Sequence, residues 1–223
     1  MTPNRTAEEV EADRLAVLGP ELGSLFHALD NEVTWLHAKW NEFRELYASQ
    51  DTVELLNQTA PFFFRVVQDT LWHDAILQVA RLTDPPVSVG KPNLTLRRLP
   101  EAITIPDLSK EVGDLVARTL TEATFARDWR NRKLAHTDLR LALDDGAEPL
   151  AQVSRQHMET VLSCMRDAMN AVNRRYWDST TAYEVFFSIH NAETLIYFLC
   201  AAHKAEAARE DRLRRGIVLS EDL

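Results

Sequence analysis

The chain has 223 residues, of which 45% are hydrophobic and 26% charged, and its formal net charge is −9. This length favours one domain, or at most two, with enough apolar side chains to bury a core. The acidic balance argues against a coat for duplex nucleic acid. No apolar run approaches the roughly 18–20 residues that span a bilayer, and the N-terminus has no apolar signal core. We therefore expect a cytoplasmic protein without a membrane partner, whose cysteines Cys164 and Cys200 are reduced.

The first two predicted helices meet at Gly19-Pro20. Thr6-Ala7-Glu8-Glu9 fits a capping box, so a short helix begins there and ends before Gly19. Pro20 suits the first turn of the next helix. Apolar residues then recur every three or four positions from Leu22 to Tyr47, which predicts a long amphipathic helix.

The third and fourth helices are predicted to begin at a second capping box, Asp51-Thr52-Val53-Glu54, and at Pro61. The fourth helix ends at Thr83-Asp84-Pro85-Pro86. Residues 83–106 are rich in proline, so we predict a long loop there with one short helix near 96–101. A loop of this length is usually functional or mobile, and it can serve as a lid, an interface arm or plain surface.

Helical spacing resumes near Ser109 and continues through Trp129 towards His136. The later features follow in chain order: a break at 144–146, a helix over 148–175, a break at 176–181 and a last helix from about Ala182 or Asn191 to Arg215. We therefore predict an all-α fold, an elongated bundle of about five or six helices. We also expect a homodimer, since long apolar stripes favour helix contacts between chains and two-fold dimers are the commonest oligomers. Packing within one chain is the alternative.

The side chains best suited to catalysis lie close together in one basic segment. Residues 127–140 carry five basic and two acidic side chains, against eleven acidic and four basic ones in residues 1–60. Within it Arg130 is followed at once by Asn131, and five residues separate Arg130 from His136. Arginine presents a rigid fork of donors to phosphate oxygens, histidine exchanges protons near neutrality, and asparagine can hold a phosphate oxygen or orient the ring. These groups suffice to cleave RNA without a metal. The alternative is a solvated basic face at a helix C-terminus.

The spacing constrains how the two groups meet. Six residues of α-helix turn about 600°, which leaves Arg130 roughly 120° away from His136. Either the helix unwinds there, or the long arginine reaches around, or the pair converges across an interface. A two-fold dimer would bring two histidines and two arginines together, since one histidine cannot comfortably serve as both acid and base. Arg132 shares a face with His136 at i and i+4, and is the rival phosphate contact.

The Arg130-Asn131-(four residues)-His136 motif resembles the signature of the HEPN superfamily. Two strings resemble its abortive-infection, AbiU-like branch: Arg-Asn-Arg-Lys-Leu-Ala-His-Thr-Asp over 130–138, and Leu71 to Pro85 (with Ala-Arg-Leu-Thr-Asp-Pro), which is followed by a polar loop and Asn93-Leu94-Thr95-Leu96. The resemblance covers roughly residues 20–205. It implies a HEPN-like domain over 20–205, with an N-terminal helical extension over 1–19 and a charged C-terminal tail over 206–223.

The resemblance also implies a function. It implies a helical dimer that acts as a metal-independent endoribonuclease on single-stranded or loop RNA, as a toxin or phage-defence effector restrained by an antitoxin or regulatory protein. Arg130 and His136 would be catalytic, and Asn131 supporting. Arg132, because of its spacing from His136, and Asp138 are further supporting candidates. In one toxin branch a tyrosine two residues after the histidine is modified by a partner nucleotidyltransferase; Asp138 stands there in this chain, so that regulation is not supported. Other members only bind nucleotides or proteins, so a non-catalytic binding module is the alternative.

The remaining candidates have plainer interpretations. Arg81 and Asp84 flank a helix end, where they are expected to form a structural ion pair or cap, or a secondary part of the active site. Cys200 and His203 lie at i and i+3, but only scattered residues could complete a zinc site, so we expect no metal and no cofactor. His27, His37 and His73 are expected to be partly buried with their hydrogen bonds satisfied. Trp35, Trp40 and Trp72 are expected to be core or dimer-interface residues rather than platforms for stacking bases.

Overall fold

The computed structural model describes residues 6–185 and 190–219. Within these ranges the chain forms ten α-helices: α1 Ala7–Leu18, α2 Pro20–Leu46, α3 Gln50–Thr59, α4 Pro61–Leu82, α5 Leu99–Ala102, α6 Pro106–Glu122, α7 Thr124–Trp129, α8 Leu139–Leu143, α9 Arg155–Trp177 and α10 Ala192–Arg214. A 3₁₀ turn at Leu96–Arg98 precedes α5, and a π-helical turn at Arg130–Leu134 follows α7. Strands β1 (Val87–Ser88) and β2 (Lys91–Pro92) pair antiparallel.

The predicted all-α class is confirmed. The ten described helices exceed the expected five or six, and three of them, α5, α7 and α8, are short pieces of four to six residues. Some boundaries differ from the prediction. Ser49, rather than Asp51, caps α3, with Thr52 completing the box, and α9 begins only at Arg155, after a cap at Ser154. Helix α10 begins at Ala192 after a cap at Asn191, which agrees with the later of its two predicted starts. No described helix is long and apolar enough to cross a membrane.

The described residues cluster into two compact units. Unit 1 contains residues 6–39 and 73–185, and unit 2 contains residues 40–72 and 190–219. In unit 1, helices α6 and α9 pack along one another and bury apolar stripes such as Val112 and Val116 against Met158 and Met165. All of the predicted site residues belong to unit 1.

Unit 2 is held by aromatic packing and by hydrogen bonds between helices. The Trp40 ring contacts Phe43 and Trp72 at centroid distances of 5.1 and 5.8 Å. The Tyr47 hydroxyl donates to the Phe64 carbonyl at 2.6 Å. Trp40 is therefore a core residue, as expected, whereas Trp35 in unit 1 is 64% exposed and is not.

Helix α1 lies directly on α2. A Cβ at Gly23 would stand 2.8 Å from the Arg14 carbonyl oxygen, so only glycine permits this approach. Arg14 reaches from α1 to the buried Asp30 carboxylate, which also accepts a hydrogen bond from the Tyr183 hydroxyl. Burial, and then the Asp30 charge, raise the pKa of Tyr183 far above its usual value, so it remains a donor.

Asp30→Ala is expected to lower the free energy of unfolding by about 3 kcal/mol, because it leaves the Arg14 guanidinium and the Tyr183 hydroxyl desolvated without their acceptor. Urea unfolding followed by circular dichroism measures the change. Asp114→Ala is the matched control, since Asp114 forms an exposed i, i+4 pair with Lys110, and it should cost about 0.5 kcal/mol or less. Equal losses in the two variants would contradict a structural role for the buried cluster.

Candidate functional site

The motif segment leaves α-helical geometry at Arg130. The Ala135 N–H donates to the Arg130 carbonyl at 2.8 Å, an i to i−5 bond, and the backbone from Arg130 to Leu134 is π-helical. Ala135 and His136 then bend away from the helix. The structure therefore shows a change in helix winding at the motif, and within residues 6–185 and 190–219 Arg130 and His136 form no hydrogen bond with each other. Single π-helical turns are frequent at functional sites.

Arg130 is held on two sides. Its Nη1 pairs with the Asp84 carboxylate, and its Nε donates to Asn131 Oδ1 at 3.1 Å. The two ion-paired side chains are 25% and 14% exposed. Nη2 makes no hydrogen bond within residues 6–185 and 190–219, so it still has donors to offer an anion.

Asp84 is positioned by the loop after α4. The Thr95 hydroxyl lies 2.9 Å from the Leu82 carbonyl and 2.8 Å from the Asp84 carbonyl, which fixes the backbone on either side of Thr83. The expected pairing between Arg81 and Asp84 is wrong, because the Asp84 carboxylate turns to Arg130 instead. Arg81 is exposed, and its side chain has no bonded partner in the part of the chain described here.

Arg132 is occupied by the chain itself. Its guanidinium donates to Asp128 Oδ1 at 3.3 Å, to the Pro149 carbonyl at 3.4 Å and to the Glu148 carbonyl, and it lies 3.8 Å from Asp138 Oδ2. These contacts fasten the loop that precedes α9 onto the motif segment. Arg132 thus acts as a loop clamp in this structure, and Arg130 is the motif arginine with an unbonded edge.

Asp128 and Trp129 complete this clamp, and the sequence prediction did not include them. Asp128 Oδ2 accepts from the Ala151 N–H, and the Trp129 ring N–H donates to the Ala151 carbonyl, both at 2.8 Å. Of these contacts, only the pair of Asp128 with Arg132 could have been predicted from the sequence, because the two residues are spaced i and i+4. Lys133 stacks its ammonium 4.9 Å from the Trp129 ring centroid, where a cation–π contact is favourable.

His136 and Asp138 have different surroundings. His136 is exposed and makes no hydrogen bond or ion pair to any residue that the structure describes. Asp138 caps α8, since its Oδ1 accepts from the Leu141 N–H at 3.0 Å. The structure thus fixes Asp138 next to the bend and leaves the His136 imidazole accessible.

The model of the AbiU2 family of HEPN proteins matches residues 19–195 of this chain. The chain belongs to the HEPN AbiU2 family. No curated protein and no protein of known structure gives a significant match. The HEPN AbiU2 match contains every residue proposed for the site, and it begins after α1, so the Arg14 contact with Asp30 attaches an element from outside the match to the family domain.

The structure gives no support to a zinc site around Cys200 and His203 in this HEPN AbiU2 chain. The His203 ring Nε2 lies 2.8 Å from the Thr59 hydroxyl in unit 2. Cys164 is buried in unit 1, where desolvation raises the pKa of its thiol. No cluster of three or more histidine, cysteine or carboxylate side chains suited to a metal occurs among the described residues.

Proposed function

We propose that this protein is a metal-independent endoribonuclease that acts in the cytoplasm on single-stranded or loop RNA, as a toxin or an effector of abortive infection. The observation that supports it most strongly is the state of Arg130. Asp84 and Asn131 hold its guanidinium from two sides and leave Nη2 unbonded, six residues before an exposed imidazole. A fixed cation and an accessible acid–base group, once both face the same phosphate, are what phosphodiester cleavage requires.

The proposed reaction is a transesterification within the RNA. An imidazole removes the proton from a 2′-hydroxyl, and O2′ attacks the neighbouring phosphorus. The P–O5′ bond breaks, and a protonated imidazole donates its proton to the departing O5′. The products are a 2′,3′-cyclic phosphate and a 5′-hydroxyl, so no oxidant and no water are consumed in this step.

Each motif residue has one task in this reaction. Arg130 donates to the phosphate oxygens as their charge rises, which is the step where a fixed cation helps most. His136 takes the proton as base, and His136 of the partner subunit supplies the acid in a homodimer. Asp84 and Asn131 keep the guanidinium in place. Asp138 and Arg132 act indirectly, by fixing the turn and the loop on either side of His136.

The test uses the purified full chain on RNA of mixed sequence with EDTA present. We expect fragments whose 3′ ends carry 2′,3′-cyclic phosphate, identified by mass spectrometry. His136→Ala, prepared in parallel, controls for contaminating nucleases. Intact RNA with the wild-type protein would overturn the proposal, and so would equal cleavage by the variant.

A non-catalytic binding module is the second candidate, and one specific observation favours it. The Arg130 Nη1 is already engaged by Asp84, and no described residue orients the His136 ring. A module that senses a nucleotide or a partner protein, such as an antitoxin, would need no oriented imidazole. Calorimetry with nucleotides, together with an absence of cleavage, would select this candidate.

A further inference from the structure

A cleft of about 360 Å³ is lined by residues of α6, α7 and α9 and by Ala151 and Gln152 of the loop that precedes α9. Phe125 and His157 both line it, and their rings stack at a centroid distance of 6.5 Å with 27° between the planes. Phe125 is buried whereas His157 is exposed, so one face of the imidazole remains available for stacking. Flat aromatic faces of this kind hold the splayed bases of single-stranded RNA.

The cleft and the motif share a wall. Ala151 lines the cleft, and its backbone binds both Asp128 and Trp129. Phe125 precedes Arg130 by five residues, which is about 7.5 Å along a helix axis. In this proposal a strand bound with one base in the cleft continues towards the motif segment.

Three polar side chains that line the cleft have no hydrogen-bond partner within residues 6–185 and 190–219. The Glu122 carboxylate is partly buried and forms no hydrogen bond or ion pair within residues 6–185 and 190–219. Gln152 and Thr124 line the same cleft, and within those ranges their side chains are equally unbonded. A carboxylate can only accept, whereas an amide or a hydroxyl can also donate.

This set matches one base better than the others. Guanine presents O6, N1–H and N2–H in a row, so a carboxylate accepts from both N–H groups while an amide donates to O6. Adenine and cytosine would turn an unprotonated ring nitrogen towards the carboxylate. Uracil offers one N–H between two carbonyl oxygens. Each mismatch leaves an acceptor facing an acceptor, which is what discriminates strongly in a polar pocket.

The geometry points to a guanine-binding site formed by Phe125, His157, Glu122 and Gln152, which would direct cleavage to guanosine positions. The site rests on the proposed ribonuclease function for its role, but its ligand can be tested without any cleavage.

The first measurement is a titration of the full chain with guanosine monophosphate, followed by NMR through the ring protons of His157. We expect His157 signals to shift with guanosine monophosphate and at least about tenfold more weakly with adenosine, cytidine or uridine monophosphate. Glu122→Gln should remove the shift. Glu111→Gln is the matched control, since Glu111 lies earlier on α6 and pairs with Arg174 on its exposed surface. The control should bind like the wild type.

The second measurement maps cleavage sites on RNA of mixed sequence. The wild type should prefer guanosine positions by about tenfold, Glu122→Gln should lose this preference, and the control Glu111→Gln should keep it. Equal shifts with all four nucleotides, or a Glu122→Gln variant that still prefers guanine, would overturn the inference. Guanine-specific shifts without any cleavage would support the guanine-binding site and refute the ribonuclease function. Cleavage without a preference or a shift would support the ribonuclease function and refute the guanine-binding site.

Discussion

His136→Ala is expected to lower the rate of RNA cleavage by about 10²- to 10⁴-fold, which is the usual contribution of a positioned acid–base group. In the proposed dimer the loss should lie at the upper end, because one substitution removes both the base and the acid. The substitution should not affect folding, since the exposed ring makes no bond to any residue in the described ranges. Initial rates on a defined oligoribonucleotide measure the first effect, and urea unfolding measures the second.

The chain offers a matched control for this variant. His203 lies in unit 2, on α10, where its ring contacts the Thr59 hydroxyl. His203→Ala should therefore keep the wild-type rate. A His136→Ala protein that folds and cleaves at the wild-type rate would remove His136 from the mechanism, whatever the control does. A rate lost equally in both variants would point to a general effect on assembly instead.

Much of the fold was accessible from the sequence because capping and periodicity are local signals. The capping box at Thr6 and the proline at Pro61 gave two helix starts correctly. The cap at Ser49 was missed, since Asp51-Thr52-Val53-Glu54 fits the same pattern two residues later. When two candidate N-cap residues lie within one turn, the sequence does not show which side chain accepts the hydrogen bond from the first turn of the helix.

The candidate site was only partly accessible. The sequence singled out Arg130 and Asp84 separately, but it placed Asp84 with its neighbour Arg81. The ion pair of Asp84 with Arg130 joins residues 46 positions apart, and only the packing of the chain determines such a partner. The π-helical turn was equally hidden, because it depends on which carbonyl the Ala135 N–H selects. The cleft at Phe125 and His157 arises in the same way from two separate helices.

Arg130→Ala should reduce cleavage by about 10²- to 10³-fold through kcat, because the guanidinium binds the phosphate most strongly as its charge develops. Asp84→Ala should have a smaller effect of the same kind, about 10-fold or more, since the arginine remains but is no longer held. Asp84→Asn keeps an acceptor oxygen for Arg130 and should recover part of the rate. The matched control is Asp114→Asn, whose exposed partner Lys110 lies outside the site.

The double variant separates positioning from an independent role. If Asp84 acts only through Arg130, then Asp84→Ala combined with Arg130→Ala should cleave no more slowly than Arg130→Ala alone. Multiplying losses would contradict positioning, because each residue would then contribute by itself. A faster Asp84→Ala enzyme would contradict it as well, and would mean that the carboxylate competes with the RNA phosphate for the guanidinium. The two-sided hold on Arg130 favours the first outcome, since it fixes Nε and Nη1 while leaving Nη2 unbonded within residues 6–185 and 190–219.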